Sequence, residues 1–189
     1  MQVTVTGSAR RAQIVTATIA TIAELGYHQA SFARIARSAG LSSTRLISYH
    51  FEGKDELIGQ VIETLQGRLS AYMTERVSAP RTAGAALETY IRSLAEYAGE
   101  HRAEMRAATQ ILLNHRTEAT GLSALSQIER LLVWGQESGE FGTFNVRVTA
   151  MAVQRALDGL PFLLEADPEA DPAEYADELA ALFARAVRA

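Results

Sequence analysis

Apolar side chains recur at intervals of three and four residues along nearly the whole chain, and no stretch alternates polar and apolar between turn residues. A strand needs that two-residue period. A helix gathers positions i, i+3, i+4 and i+7 on one face. The pattern dictates an all-α fold of about nine helices. With 189 residues, 48% of them apolar, the chain has enough side chains to build a packed core.

Local signals set the helix limits. The first helix runs from about Ser8 to Leu25, and Gly26 ends it because a left-handed cap needs no Cβ. Ser31 is the N-cap of the second, with Phe32, Ile35 and Ala36 facing inward. Ala39-Gly40-Leu41-Ser42 breaks the period, and a short third helix spans Ser42 or Ser43 to Tyr49 or His50. After Gly53 a long fourth helix carries Leu57, Ile58, Val61 and Leu65, and Pro80 separates it from the fifth. The sixth runs from Arg102 to Asn114, and Thr117 to Gly121 reads as a loop. Ser126 and Glu129 have capping-box spacing for the seventh, which Gly139 and Gly142 stop. Asn145 caps the eighth, which extends to about Glu165 with a kink at Pro161. Asp171-Pro172-Ala173-Glu174 opens the ninth with a cap, an N1 proline and an N3 carboxylate.

Composition excludes several classes. There is no cysteine, so disulfides and thiolate metal sites are out. No apolar run reaches membrane-spanning length and residues 1–11 do not read as a signal peptide, so a cytoplasmic protein with no membrane partner is the expectation. No glutamate stands three before any of His28, His50, His101 or His115, as a di-iron bundle requires. The zinc-protease, P-loop and dinucleotide-binding motifs are absent as well, so neither metal nor cofactor is expected and an all-α enzyme is the weak alternative.

Charge is unevenly placed. Up to Lys54, the only lysine, six cations face two carboxylates for a net +4, and the rest carries −8 within the total of −4. A basic N-terminal segment on an acidic body suits a module that meets phosphate. Within it, Ser31 to Tyr49 has the size of a helix-turn-helix, with small residues Ala36, Ala39 and Gly40 at the crossing. Its second helix offers Ser42, Ser43, Thr44, Arg45, Ser48, Tyr49 and His50, hydrogen-bonding groups with no acid among them. A helical hairpin inside an all-α enzyme would share this pattern.

The segment from Arg11 to Leu57 resembles the N-terminal domain of the TetR family of transcriptional regulators. Ile14, Gly26-Tyr27, Ser31-Phe32, Ile35-Ala36 and Ala39-Gly40-Leu41-Ser42 carry the resemblance, continued by Leu46-Ile47-Ser48-Tyr49-His50-Phe51, Lys54 and Leu57. The resemblance implies a DNA-binding domain over 1–53 and a helical effector-binding and dimerisation domain over 54–189. It also implies a repressor that binds a palindromic site on double-stranded DNA as a homodimer and is released by a small-molecule effector. A ligand-independent regulator is the alternative.

The family's third helix reads the major groove, which makes Thr44, Arg45, Ser48 and Tyr49 the candidates for base and phosphate contacts. Arg45 suits guanine O6 and N7, or a phosphate. Lys54 is expected at a phosphate or paired with Asp55 or Glu56, and Ser31 and Arg34 at the DNA backbone. Arg10 and Arg11 form a basic arm or a tail. In the family the turn glycine and the following phenylalanine usually stand one residue closer than Gly40 and Phe51 do here. The expectation is a longer turn, with Ser42 or Ser43 as cap, a helix starting near Thr44, and Leu46 buried.

By the same resemblance, the last two helices supply a dimer interface. Val153, Leu157, Leu160 and Leu164 are its candidates on one, and Leu179, Leu182 and Phe183 on the other, with monomer core as the alternative reading. An effector pocket among the middle helices takes Met105, Thr109, Leu112 and Trp134 as candidates, with Met151, Arg155 and Phe162 from the eighth helix. Core positions, and a salt bridge for Arg155, are the alternative there.

Overall fold

The computed structural model describes the backbone of residues 5–77, 80–115 and 120–188, and the side chains of the same ranges except 5, 6 and 120–124. These residues form ten helices: α1 Val5–Leu25, α2 Phe32–Ser38, α3 Arg45–His50, α4 Lys54–Val77, α5 Ala83–Glu100, α6 Arg102–Asn114, α7 Thr120–Glu137, α8 Val146–Asp158, α9 Leu160–Ala166 and α10 Pro172–Ala186. The expected eighth helix is thus two, α8 and α9. Pro161 lacks the N–H that would continue the ladder, so α8 ends at Gly159 and α9 restarts with the proline in its first turn. Of the expected loop at Thr117 to Gly121, residues 117–119 lie outside the described residues, and Thr120 and Gly121 are helical. Ser126 is therefore inside α7 and does not cap it.

The chain packs as two units. The first comprises Met1–Arg68 and Ala103–Arg116, so α6 joins the first helices, whereas the sequence division falls at residue 53. Its core is built from Ile14 and Ile22 of α1, Ile35 of α2, Ile47 of α3 and Phe51 after it. Leu57, Ile58 and Val61 of α4 and Ala107 and Ile111 of α6 complete it. Each large side chain so enclosed contributes roughly 1.5–3 kcal/mol.

The second unit comprises Leu69–Arg102 and Thr117–Ala189. There α5 packs along α10 and α7 along α8. Leu87, Ile91, Ile128, Leu132, Val153, Leu157 and Phe183 lie in one core. Gly135 of α7 is needed for a close approach: a Cβ there would meet the Phe141 ring at 1.9 Å. Caps match their sequence signals. Asn145 accepts from the Val148 N–H at 3.0 Å, and Asp171 from the Ala173 N–H at 2.8 Å.

Burial corrects most of the dimer candidates. Val153, Leu157, Leu160, Leu164 and Phe183 are buried within their own chain, so the monomer-core reading holds for these five. A side chain already enclosed by its own helices has no surface left for a partner. Leu179 is half-buried and Leu182 is 50% exposed.

Candidate nucleic-acid interface

The α2–turn–α3 segment is set by short-range bonds. Ser31, extended at φ −82° and ψ 157°, caps α2 by accepting from the Arg34 N–H. At the other end Gly40 has φ +64°, a conformation in which a Cβ is strained. Its N–H donates to the Arg37 carbonyl at 3.1 Å, and the Leu41 N–H donates to the Ala36 carbonyl at 2.8 Å. This paired arrangement closes the helix and turns the chain toward α3.

The residue before α3 is Thr44, which takes the N-cap position without a side-chain cap bond, where Ser42 or Ser43 was the expected cap. The Ser43 hydroxyl accepts from the Arg45 N–H at 3.1 Å, the Leu46 N–H donates to the Ser43 carbonyl at 3.2 Å, and α3 starts at Arg45. Ile47 is fully buried. Leu46, expected in the core, is only half-buried, because α3 turns Ile47 inward and leaves its neighbour at the margin. Arg45, Ser48 and Tyr49 stand at i, i+3 and i+4, one helix face, and all are exposed, Tyr49 by 75%. Ser42, Ser43 and Thr44 are exposed just before them.

Flanking groups hold this segment. Arg11 does not extend as an arm. Its guanidinium lies 4.2 Å from the Phe51 ring centre, donates to the His50 carbonyl, and pairs with Glu56 Oε1 at 3.0 Å. Arg10 donates to Gln13 Oε1 at 2.7 Å, and Gln13 Nε2 donates to the Ala39 carbonyl at 2.7 Å. Both arginines belong to the folded α1, which corrects the arm or tail reading. Nothing local in the sequence signals these bonds, since the partners of Arg11 lie 39 and 45 residues away.

Glu56 also accepts from the Glu52 N–H at 2.6 Å. That bond first, and Arg11 second, hold its carboxyl below the ordinary 4.5. Lys54 pairs with neither Asp55 nor Glu56. Its ammonium donates to the Tyr27 carbonyl at 3.1 Å and stands 4.3 Å from the Tyr27 ring centre. Burial, and then the Asp55 charge, push the Tyr27 phenol up. Arg34 donates to Gln29 Oε1 at 2.7 Å while remaining exposed. The His50 ring is half-buried and meets Tyr49 edge-on at 5.0 Å.

The effector candidates divide between the two units. In the first unit Met105 and Thr109 are half-buried, and Leu112 is 58% exposed. In the second, Trp134, Met151, Arg155 and Phe162 are exposed, and Arg155 pairs with Asp158 of its own helix at 3.2 Å. A shallow groove of the second unit is lined instead by Leu87, Glu140, Phe141, Ala180 and Arg188. The shared face expected for Met151, Arg155 and Phe162 does not form, because Phe162 lies on α9 and the other two on α8, and all three side chains are exposed.

Among the described residues there is no group of three or more His, Cys, Asp and Glu side chains able to hold a metal ion. Among them, too, no helix is long and apolar enough to cross a membrane.

Residues 14–61 match the bacterial regulatory proteins of the tetR family. The HTH-type transcriptional regulator BetI of Escherichia coli is 38% identical over 72 residues, which cover 38% of this chain and 36% of BetI. The match therefore spans about a third of that relative's length. Two solved structures share the fold across almost the full chain. A tetR-family regulatory protein from Rhodococcus RHA1 has a TM-score of 0.82 at 20% identity, covering 95% of this chain and 97% of its own. A TetR transcription regulator from Haloarcula marismortui has a TM-score of 0.82 at 19% identity, covering 96% and 100%. Each of these relatives and neighbours is a regulator by name. The α2–turn–α3 segment lies inside the region that matches the tetR family of bacterial regulatory proteins.

Proposed function

We propose that this chain is a cytoplasmic repressor that binds a palindromic operator as a symmetric dimer and leaves it when a small molecule binds. The observation that carries the reading is the outward face of α3. Arg45, Ser48 and Tyr49 project together, and Ser42, Ser43 and Thr44 extend them without an acidic group. Serine and threonine hydroxyls suit phosphates and bases, and arginine suits guanine. Ser31 accepts from a backbone N–H with its hydroxyl oxygen, which leaves its own proton to donate to a phosphate. Lys54 spends one of three ammonium protons on Tyr27 and keeps the others for phosphate.

One α3 reads too few base pairs to define a genomic site, and a two-fold dimer doubles it. The surface we assign to that dimer is the exposed apolar set on the last helices: Val148 and Met151 of α8, Phe162 and Leu163 of α9, and Leu182 of α10. DNA binding falls to residues 1–53, supported from behind by α4, and effector binding to the remainder. Footprinting on DNA selected from random sequence tests this reading. It predicts two protected half-sites in inverted repeat, lost when the cognate small molecule is added. Protection of one isolated site by a monomer would contradict it. Binding that no candidate ligand alters would favour a ligand-independent regulator.

A further inference from the structure

We propose that Arg11 and Gln13 are positioning residues for the recognition segment, clamping its two ends from α1 and making no contact with DNA themselves. The inference rests on the DNA-binding reading of α3. On a helix advancing about 100° per residue, Gln13 and Arg11 fall on either side of Ile14. Ile14 is completely buried, so the two polar side chains flank the apolar contact of α1. Gln13 reaches the Ala39 carbonyl at 2.7 Å, where α2 ends and the turn begins. Arg11 reaches the His50 carbonyl, at the last residue of α3. The final carbonyls of a helix have no partner within it, so an outside donor fixes that end.

Both terminal nitrogens of Arg11 are engaged within the protein. One terminal nitrogen holds the His50 carbonyl. The other holds Glu56 Oε1 at 3.0 Å and reaches Gln60 Oε1 at 3.4 Å, and the plane lies 4.2 Å from the centre of buried Phe51. Only a planar fork makes these contacts together, and an ammonium does not. With both terminal nitrogens engaged, Arg11 contributes no counterion release on DNA. Its effect passes through the placement of α3 relative to α1 and α4.

The test uses full-length wild type, Arg11→Ala, Arg11→Lys and Gln13→Ala. Amide hydrogen exchange is read in the free protein, and affinity against salt on DNA selected by wild type. For Arg11→Ala we expect exchange of the Ile47 to Phe51 amides to accelerate more than that of the Ile35 and Ala36 amides, a local loosening that global destabilisation would not give. Affinity should fall roughly tenfold, as for loss of a charge-assisted bond, with the salt slope unchanged. Arg11→Lys should do no better. Gln13→Ala should act in the same direction and more weakly, because its bond is neutral. A salt slope reduced by about 0.9 per protomer would overturn the proposal by marking Arg11 as a phosphate contact. So would wild-type affinity in Arg11→Lys, or unchanged exchange in α3. If wild type selected no DNA at all, the regulator reading would fail, while the exchange data would still decide whether the clamp exists.

Discussion

The Lys54 ammonium at the start of α4 donates to the Tyr27 carbonyl at 3.1 Å and sits 4.3 Å from the centre of that residue's ring. This ties the loop before α2 to α4, so Lys54→Ala should act twice. It should cost the folded state about 1–2 kcal/mol in urea unfolding, from the lost ring contact and hydrogen bond. It should also weaken binding to all sequences about equally and lower the salt slope by roughly 0.9 per protomer. A changed base preference with the slope intact would make Lys54 a base reader.

Ser43 holds the start of α3 through its hydroxyl, 3.1 Å from the Arg45 nitrogen. Ser43→Ala should lower stability by about 1 kcal/mol, the usual effect of losing a helix-start acceptor. Deleting Ser43 should leave the helical circular-dichroism signal in place, because Ser43 lies in the turn before α3. The deletion should still shift or weaken operator preference in a repeat of the DNA selection.

The parts legible in the sequence are those set by near neighbours. Gly26 and Gly40 adopt positive φ, and Ser31, Asn145 and Asp171 cap their helices, because each bond lies within three residues of its partner. The chemical character of the α3 face was readable for the same reason. Long-range choices were not. Period alone does not say which of two apolar faces of a helix turns inward, so Leu157 and Val153 read as interface while Met151 read as pocket. Packing buried the first two and exposed the third. Arg11 looked like a free cation because its partners come from α3 and α4.

Glu56 links the α4 start to pH. The Glu52 N–H, and then Arg11, lower its pKa below 4.5 in the folded state. The stabilisation is therefore complete above the unfolded value and is lost as pH falls through the lower, folded one. Glu56→Gln should reduce stability at neutral pH and flatten the loss of stability on acidification below about pH 4.5. Urea midpoints across that range check it. An acid limb identical to wild type would mean that Glu56 gains nothing from folding.

Interface and core are separable by charge. Leu182→Asp combined with Phe162→Asp should give a folded monomer, since both positions are exposed within one chain. Leu157→Asp should unfold the second unit, because Leu157 is 4% exposed and a lone charge there has no partner. Sedimentation and circular dichroism distinguish these results. A wild-type monomer at micromolar concentration would contradict the proposed dimer.

The central claim is that the α3 face reads DNA sequence, and Arg45 is its most direct test. Wild type and Arg45→Ala should be compared by selection from random duplex DNA, followed by affinity on the selected sites. The account predicts a palindromic wild-type site. Arg45→Ala should lose roughly 1–3 kcal/mol and relax specificity at one base pair of each half-site. An Arg45→Ala protein that kept both wild-type affinity and wild-type base preference would contradict it.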